Sequence, residues 1–249
     1  MAAAGDNVQR PIRRTGVPRA LRCDGRSLLY SVGGGLGWHV ATCRASETLR
    51  ARGVSVTLAS MDLQTRKWTR IEYERLVEVE ILGPEDRVEL LGGAMICKEP
   101  QYSPHATSIL LVQRVLTEAF GSGWVVRSQM PVALDDESEP EPDVAVAPGD
   151  PRDYRDAHPA RPVLVVEVAL SRLGFDREHK GSLYARAGIA DYWIVNLPDR
   201  RFEVYRGPVP DGAAPFGWRY GSTLALGPEE RVAPLAAPGA SVIVADLLP

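Results

Sequence analysis

The sequence predicts a mixed α/β or α+β fold, a central sheet flanked by helices with extra β elements towards the C-terminus. Three observations lead there. Hydrophobic residues make up 45% and charged residues 24% of the 249 residues, the balance of a globular chain and not of a disordered one. From Trp68 onward, segments of helical and strand periodicity follow one another as helix, hairpin, helix, several strands, helix and strands. Finally, Val163–Val168 is apolar at every position except Glu167, the pattern of a strand buried on both faces.

The elements follow in chain order. Thr69 with Glu72 three residues on forms a capping box, and Ile71, Leu76, Val77 and Val79 supply an apolar side to that helix. Arg87–Leu91 and Ala94–Cys97 are strands joined by Gly92-Gly93, a two-residue hairpin turn. Ser103-Pro104 opens a second helix, Ser as cap and Pro at the first position, with Ile109, Val112, Val115, Leu116 and Ala119 buried and Gly121 as the stop. Strands are expected at 124–128, 132–134, 143–146 and 163–168, with the acidic run from Asp135 to Glu141 as a loop. A helix from Asp176 to Ala187 stops at Gly188. Asp191–Asn196 then pairs with Arg201–Tyr205, and 218–224 and 241–244 add edge elements.

Charge divides the chain. Residues 1–60 hold nine arginines, no lysine and three acids, whereas 61–249 hold 20 basic and 29 acidic residues. The first sixty residues lack periodicity and are read as an Arg-rich disordered extension, with Met61 as an alternative start. Their cluster Gly33-Gly34-Gly35-Leu36-Gly37 fits neither phosphate-loop pattern. No apolar run reaches the ~18 residues that span a bilayer, so no membrane partner is expected. Three cysteines, Cys23, Cys43 and Cys97, form no C-x-x-C pair and no closed disulfide framework, which points to a reducing, cytoplasmic setting. The acidic body does not suit a protein that coats nucleic acid indiscriminately.

Two carboxylates stand out by position. Asp143 opens a strand, and Glu167 interrupts a valine run. A lone carboxylate buried there would cost several kcal/mol or more, so either a cation faces it, a Lys or Arg side chain or a divalent metal, or it is a strand-end Glu that reaches solvent. Lys180, one of three lysines, lies on the helix after the Glu167 strand. Hard oxygen donors on adjacent strand ends suit Mg²⁺, and two acids with one lysine form a set able to hydrolyse a phosphodiester. The four histidines are scattered and make no zinc set, and no G-x-S-x-G elbow is present.

The stretch Pro142-Asp143, Val165-Val166-Glu167-Val168, Asp176-Arg177-Glu178-His179-Lys180, Leu183–Ile189 and Tyr192–Val195 resembles the Uma2 restriction endonuclease family of the PD-(D/E)xK nuclease superfamily. The likeness also takes in Trp68–Tyr73, Asp86–Leu90, His105 and Glu139–Asp143, and covers about residues 61–246. It implies a restriction-endonuclease-like core and divalent-metal cleavage of DNA, with Mg²⁺ or Mn²⁺ as cofactor. Asp143, Glu167 and Glu89 would be the metal carboxylates and, with Lys180, the catalytic set. Gln129 and His105 would line the substrate site. The superfamily lysine usually stands two residues after the acid. Here that position is Ala169, and Lys180 on the helix takes its place. The likeness also implies a homodimer.

Two other readings stay open: a catalytically idle dimeric binding module of the same fold, and a metal-dependent hydrolase of another phosphoester. A DNA enzyme should gather Arg152, Arg155, Arg161, Arg172 and Arg177 at the mouth of the site.

Overall fold

In the computed structural model the described residues are 65–249. The proposed extension over 1–60 lies outside them. Helix α1 (Arg70–Glu78) starts at the expected capping box, the Thr69 side chain accepting from the Glu72 N–H and the Glu72 carboxylate accepting from the Thr69 N–H. Strands β1 (Val88–Leu91) and β2 (Ala94–Cys97) pair antiparallel with Leu91 opposite Ala94. Gly92 and Gly93 both take positive φ, 57° and 84°, as a tight two-residue hairpin requires. A side chain at Gly93 would also collide with Lys67, the built Cβ lying 2.6 Å from Lys67 Cβ.

Helix α2 (Ser103–Phe120) precedes a six-stranded mixed sheet. The sheet strands are β3 (Trp124–Ser128), β4 (Val144–Pro148), β5 (Leu164–Ala169), β6 (Asp191–Asn196), β7 (Arg201–Pro210) and β8 (Trp218–Leu226). They lie in sequence order, all neighbours antiparallel except β5 and β6. The parallel pair needs a crossover, supplied by α3 (Leu173–Phe175), a π-helical turn at Asp176–Lys180 and α4 (Gly181–Arg186). Short strands β9 (Arg231–Val232) and β10 (Val242–Ile243) pair beside the sheet.

Strand alternation sorts the core into two faces. Val144, Val146, Leu164, Val166, Val168, Trp193 and Val195 pack with Ile109, Val112 and Leu116 of α2. The intervening Ala145, Val165, Ala169, Tyr192 and Ile194 pack with Tyr184 and Ala185 of α4. Every residue of β5 and β6 is buried, as the valine run predicts for a strand covered on both sides.

Several expectations fail for local physical reasons. The cap of α2 is Tyr102, one residue early, and Ser103 is already helical. No strand forms at 132–134. Val132 is buried, but its N–H donates to the Pro140 carbonyl and Leu134 N–H to Ser138, closing the acidic loop on itself. The segment reading as a strand from Asp143 begins at Val144. The apolar side assigned to α1 holds only at Leu76, which packs against the buried Tyr73 and Leu82, whereas Ile71, at 74%, Val77 and Val79 are exposed. The helix expected from Asp176 to Ala187 starts earlier and contains the π turn. Among the described residues, no helix is long and apolar enough to cross a membrane.

Burial separates two apolar truncations. Leu116→Ala should destabilise by about 2–5 kcal/mol, because Leu116 is fully buried against the sheet. Ile71→Ala should stay within about 0.5 kcal/mol of wild type. Urea melts of the two variants check the pair.

Candidate active site

The α4 side of the sheet carries an interruption in its apolar packing. Along β5 the side chains facing α4 are Val165, Glu167 and Ala169 by alternation. The β4–β5 register pairs Val144 with Val166. Continued one residue, it sets Asp143 opposite Glu167, and the Asp143 N–H donates to Glu167 Oε2 at 3.4 Å. Thus two acids far apart in sequence share one face because they share one strand parity.

Glu167 Oε1 accepts from Lys180 Nζ at 3.0 Å and from the Tyr184 hydroxyl at 2.7 Å. The Lys180 amine also lies 3.2 Å from Glu89 Oε1, and Glu89 Oε2 accepts the Glu141 N–H at 3.0 Å. Glu141 forms an ion pair with Lys98. Asp143 Oδ2 accepts the Val168 N–H at 2.8 Å and faces His105 Nε2 at 3.1 Å. Its Oδ1 has Gln129 Nε2 at 3.5 Å. Gln129 sits at φ 54° with its N–H donated to the Pro142 and Asp143 carbonyls. Glu89, His105, Gln129, Asp143, Glu167 and Lys180 all line one cleft of about 820 Å³, so the expected site residues come together.

The π turn aims the lysine. The Gly181 N–H reaches back five residues to the Asp176 carbonyl, which also accepts from the Tyr192 hydroxyl at 2.9 Å. Within the helical segment Asp176, Lys180 and Tyr184 follow at intervals of four, and all three are buried. Arg177 points the other way and donates Nε and Nη2 to Glu203 at 2.9 and 2.5 Å. His179 is exposed and stacks on Phe175, away from the site as its helical position predicts.

Electrostatics follow from one cation among four acids. Burial opposes a charge on Lys180, but Glu167, Glu89, Asp176 and Asp143 outweigh it and hold the amine protonated, well above its usual range. Burial pushes Glu167 and Asp176 upward. Lys180 pulls both back, and the neighbouring carboxylates push them up again. Glu167 and Asp176 are therefore harder to ionise than isolated acids, because burial and neighbouring carboxylates outweigh the pull of a single amine. For His105, burial disfavours the charged ring, but the hydrogen bond and charge of Asp143 raise its pKa overall.

Asp176 is the residue that sequence reasoning missed as part of the site. The available signal was its spacing of four from Lys180, and of eight from Tyr184, on a helix packed against Glu167. The expected arginine cluster does not form. Of Arg152, Arg155, Arg161, Arg172 and Arg177, only Arg172 lines the cleft. Arg152 and Arg155 pair with Asp150 and Asp156, and Arg177 with Glu203. Asp191, buried beside β7, is held by Arg206, Trp193 Nε1 and the Leu235 N–H, a packing role with no link to the cleft.

Among the described residues, no group of three or more His, Cys, Asp or Glu side chains converges into a ready-made metal cage. Two carboxylates nonetheless keep a loosely engaged oxygen each: Asp143 Oδ1, with its nearest donor at 3.5 Å, and Glu167 Oε2, with its donor at 3.4 Å. These hard donors in an acid-rich cleft fit a cation that takes one or two carboxylates and keeps its waters, as Mg²⁺ does. Glu89 fits direct ligation poorly, because Lys180 and the Glu141 N–H occupy both its oxygens.

Comparison with known proteins agrees with this architecture. A crystal structure described as "a putative nuclease belonging to DUF820", from Anabaena variabilis ATCC 29413, superposes with a TM-score of 0.56 at 16% identity, covering 72% of this chain and 96% of that one. No curated protein matches the chain. The family model Uma2, described as "Putative restriction endonuclease", matches residues 71–244, most of the chain. On that match, and on a fold shared with a nuclease-like structure, the chain belongs to the Uma2 family.

Proposed function

We propose that this chain is a metal-dependent endonuclease that hydrolyses DNA phosphodiester bonds, with Mg²⁺ or Mn²⁺ held by Asp143 and Glu167. The observation that carries the reading is the Lys180 amine, buried between Glu167 and Glu89 beside Asp143. When bound, the cation supplies charge against the phosphoryl oxygens and acidifies coordinated water.

The residues of the chain do the rest. Lys180 and Tyr184 fix the Glu167 carboxylate in one orientation, and the Val168 N–H with His105 fixes Asp143. Lys180 is protonated, so it donates: it orients the attacking water or neutralises charge that develops on the phosphate in the transition state. Glu89, assigned by resemblance to the metal, acts in this scheme by holding Lys180. Asp176 adds negative charge that favours the cation, and Gln129 and His105 stand where a substrate phosphate or sugar would pass. A second reading, hydrolysis of a smaller phosphoester, draws support from the acid-rich cleft and its single arginine from the expected five. We place the activity in the cytoplasm, on the cysteine pattern, and the protein in a homodimer, on the family resemblance. Light scattering of the 27.1 kDa chain should then give twice the monomer mass.

Plasmid and single-stranded DNA incubated with Mg²⁺ or Mn²⁺ should be cut, and Lys180→Ala should lower the rate about 10²–10³-fold, the scale of one lost electrostatic stabiliser. Lys180→Arg should rescue little, since its planar, non-titrating head has a different reach. Equal cleavage by wild type and Lys180→Ala would remove the lysine from the chemistry.

Metal should stabilise the fold by about 2.7 kcal/mol at a hundredfold excess over Kd. Asp143→Asn and Glu167→Gln should each shrink that response in thermal melts, and melts indifferent to metal would count against the site. Without metal, the raised pKa of Asp176, pushed to about 7, has a further consequence. The folded protein holds a proton that the unfolded chain releases. This group therefore stabilises the fold in acid, and its contribution fades as pH rises from the ordinary carboxylate value of about 4 to about 7. Asp176→Asn should flatten that decline in a pH series of urea melts.

A further inference from the structure

The cleft combines three features that bear on the form of its substrate. The first is charge: seven acids and four bases line it. Three of those bases stand outside the Lys180 cluster, and each is already engaged. Arg172 pairs with Glu99, Lys98 with Glu141, and Arg87 donates to the Glu99 carbonyl. Little free positive charge remains for a row of phosphates. The second is size, about 820 Å³, the range of a pocket for one small organic group. The third is Tyr102. It lines the same cleft and is 60% exposed. It is the N-cap residue of α2, yet its side chain makes no capping bond. Among the described residues it also takes part in none of the ring contacts, whereas Phe175, another aromatic lining the cleft, is stacked on His179 and faced by the Arg172 guanidinium. Tyr102 stands three residues before His105, one helical turn from the side chain that holds Asp143.

We propose that the cleft takes an unpaired DNA strand, one base stacking on Tyr102 while the adjoining phosphodiester lies at Asp143 and Glu167. The proposal rests on the phosphodiester reading above and specifies its substrate. Two physical differences favour a single strand over a duplex. A duplex presents one charge per about 1.7 Å of axis and a single strand one per about 3.4 Å, so the acidic lining repels the duplex more. A duplex also keeps its base faces stacked on one another, whereas an unpaired base offers a free π-face to an exposed aromatic ring. Gln101 and Gln129, both exposed at the cleft, add amide groups able to hydrogen-bond a base edge.

Binding and cleavage test the proposal separately. In the binding arm, wild type with Ca²⁺ is titrated against a short fluorescent oligodeoxynucleotide, single-stranded or annealed, with strand integrity checked on a gel. The single strand should bind more tightly. Tyr102→Ala should weaken it about 5- to 150-fold, the range of base–aromatic stacking, and Tyr102→Phe should restore it because the ring alone is needed. In the cleavage arm, with Mg²⁺ or Mn²⁺, the single strand should be cut faster, and Tyr102→Ala should raise KM more than it lowers kcat. Duplex bound and cut as well as the single strand, or single-strand affinity indifferent to Tyr102→Ala, would overturn the proposal and leave phosphodiester hydrolysis standing. Tyr102-dependent single-strand binding without cleavage of any DNA would support this binding site and overturn the hydrolytic reading.

Discussion

A protonated lysine buried between two glutamates is the constraint around which this molecule is organised. Moving an ammonium out of water costs several kcal/mol even after relaxation, and Lys180 is buried with its amine 3.0 Å from Glu167 and 3.2 Å from Glu89. Those partners come from separate pieces of the chain. Glu167 is central in the six-stranded sheet, Glu89 lies on the detached β1–β2 hairpin, and Lys180 ends the π turn. None of the three could stay charged and buried alone, so each fixes where the other two elements sit. The Tyr73 hydroxyl, donating to the Val88 carbonyl, and the Glu139 N–H, donating to the Leu90 carbonyl, tie the same hairpin down.

The π turn converts that constraint into geometry. A regular helix would carry Lys180 on a surface set by 3.6 residues per turn, whereas the five-residue closure from Gly181 to Asp176 widens the helix beside the site, where such turns are frequent. Its cost is spread over polar anchors. The Tyr192 hydroxyl satisfies the Asp176 carbonyl, and the Arg177 fork grips Glu203. Glu203 is held in turn by Tyr205 and Asn196. The two neighbours Asp176 and Arg177 thus point to opposite tasks, one into the cleft and one onto the sheet.

What could be read in the sequence was whatever strand parity and turn chemistry dictate. A glutamate buried inside a valine run must face a cation, and the register of β4 and β5 brings Asp143 opposite it. The hairpin at Gly92-Gly93 and the box at Thr69 follow from backbone rules that tertiary packing did not override. Lys180 as the facing cation was a candidate by composition, but its placement rested on family resemblance, because helical periodicity alone does not foresee a π turn. The apolar side of α1 misled at positions 71, 77 and 79, which stay exposed, whereas Leu76 packs beside Tyr73. Val132 misled because burial in a loop leaves the same apolar trace as burial in a strand. The arginines were misjudged for a different reason. Arg152 and Arg155 have acids within two residues, and such local pairing is cheaper than crossing to the cleft.

The excess of acid in the cleft also orders the events of any reaction there. Glu89, Asp143, Glu167 and Asp176 surround one amine, so a phosphate entering the bare cleft would meet net repulsion. On the proposed reading, a divalent cation held by Asp143 and Glu167 would offset that repulsion. It would then help to admit the substrate as well as to activate it, and metal dependence would belong in KM as much as in kcat. This is a direct consequence of burying four carboxylates around a single lysine.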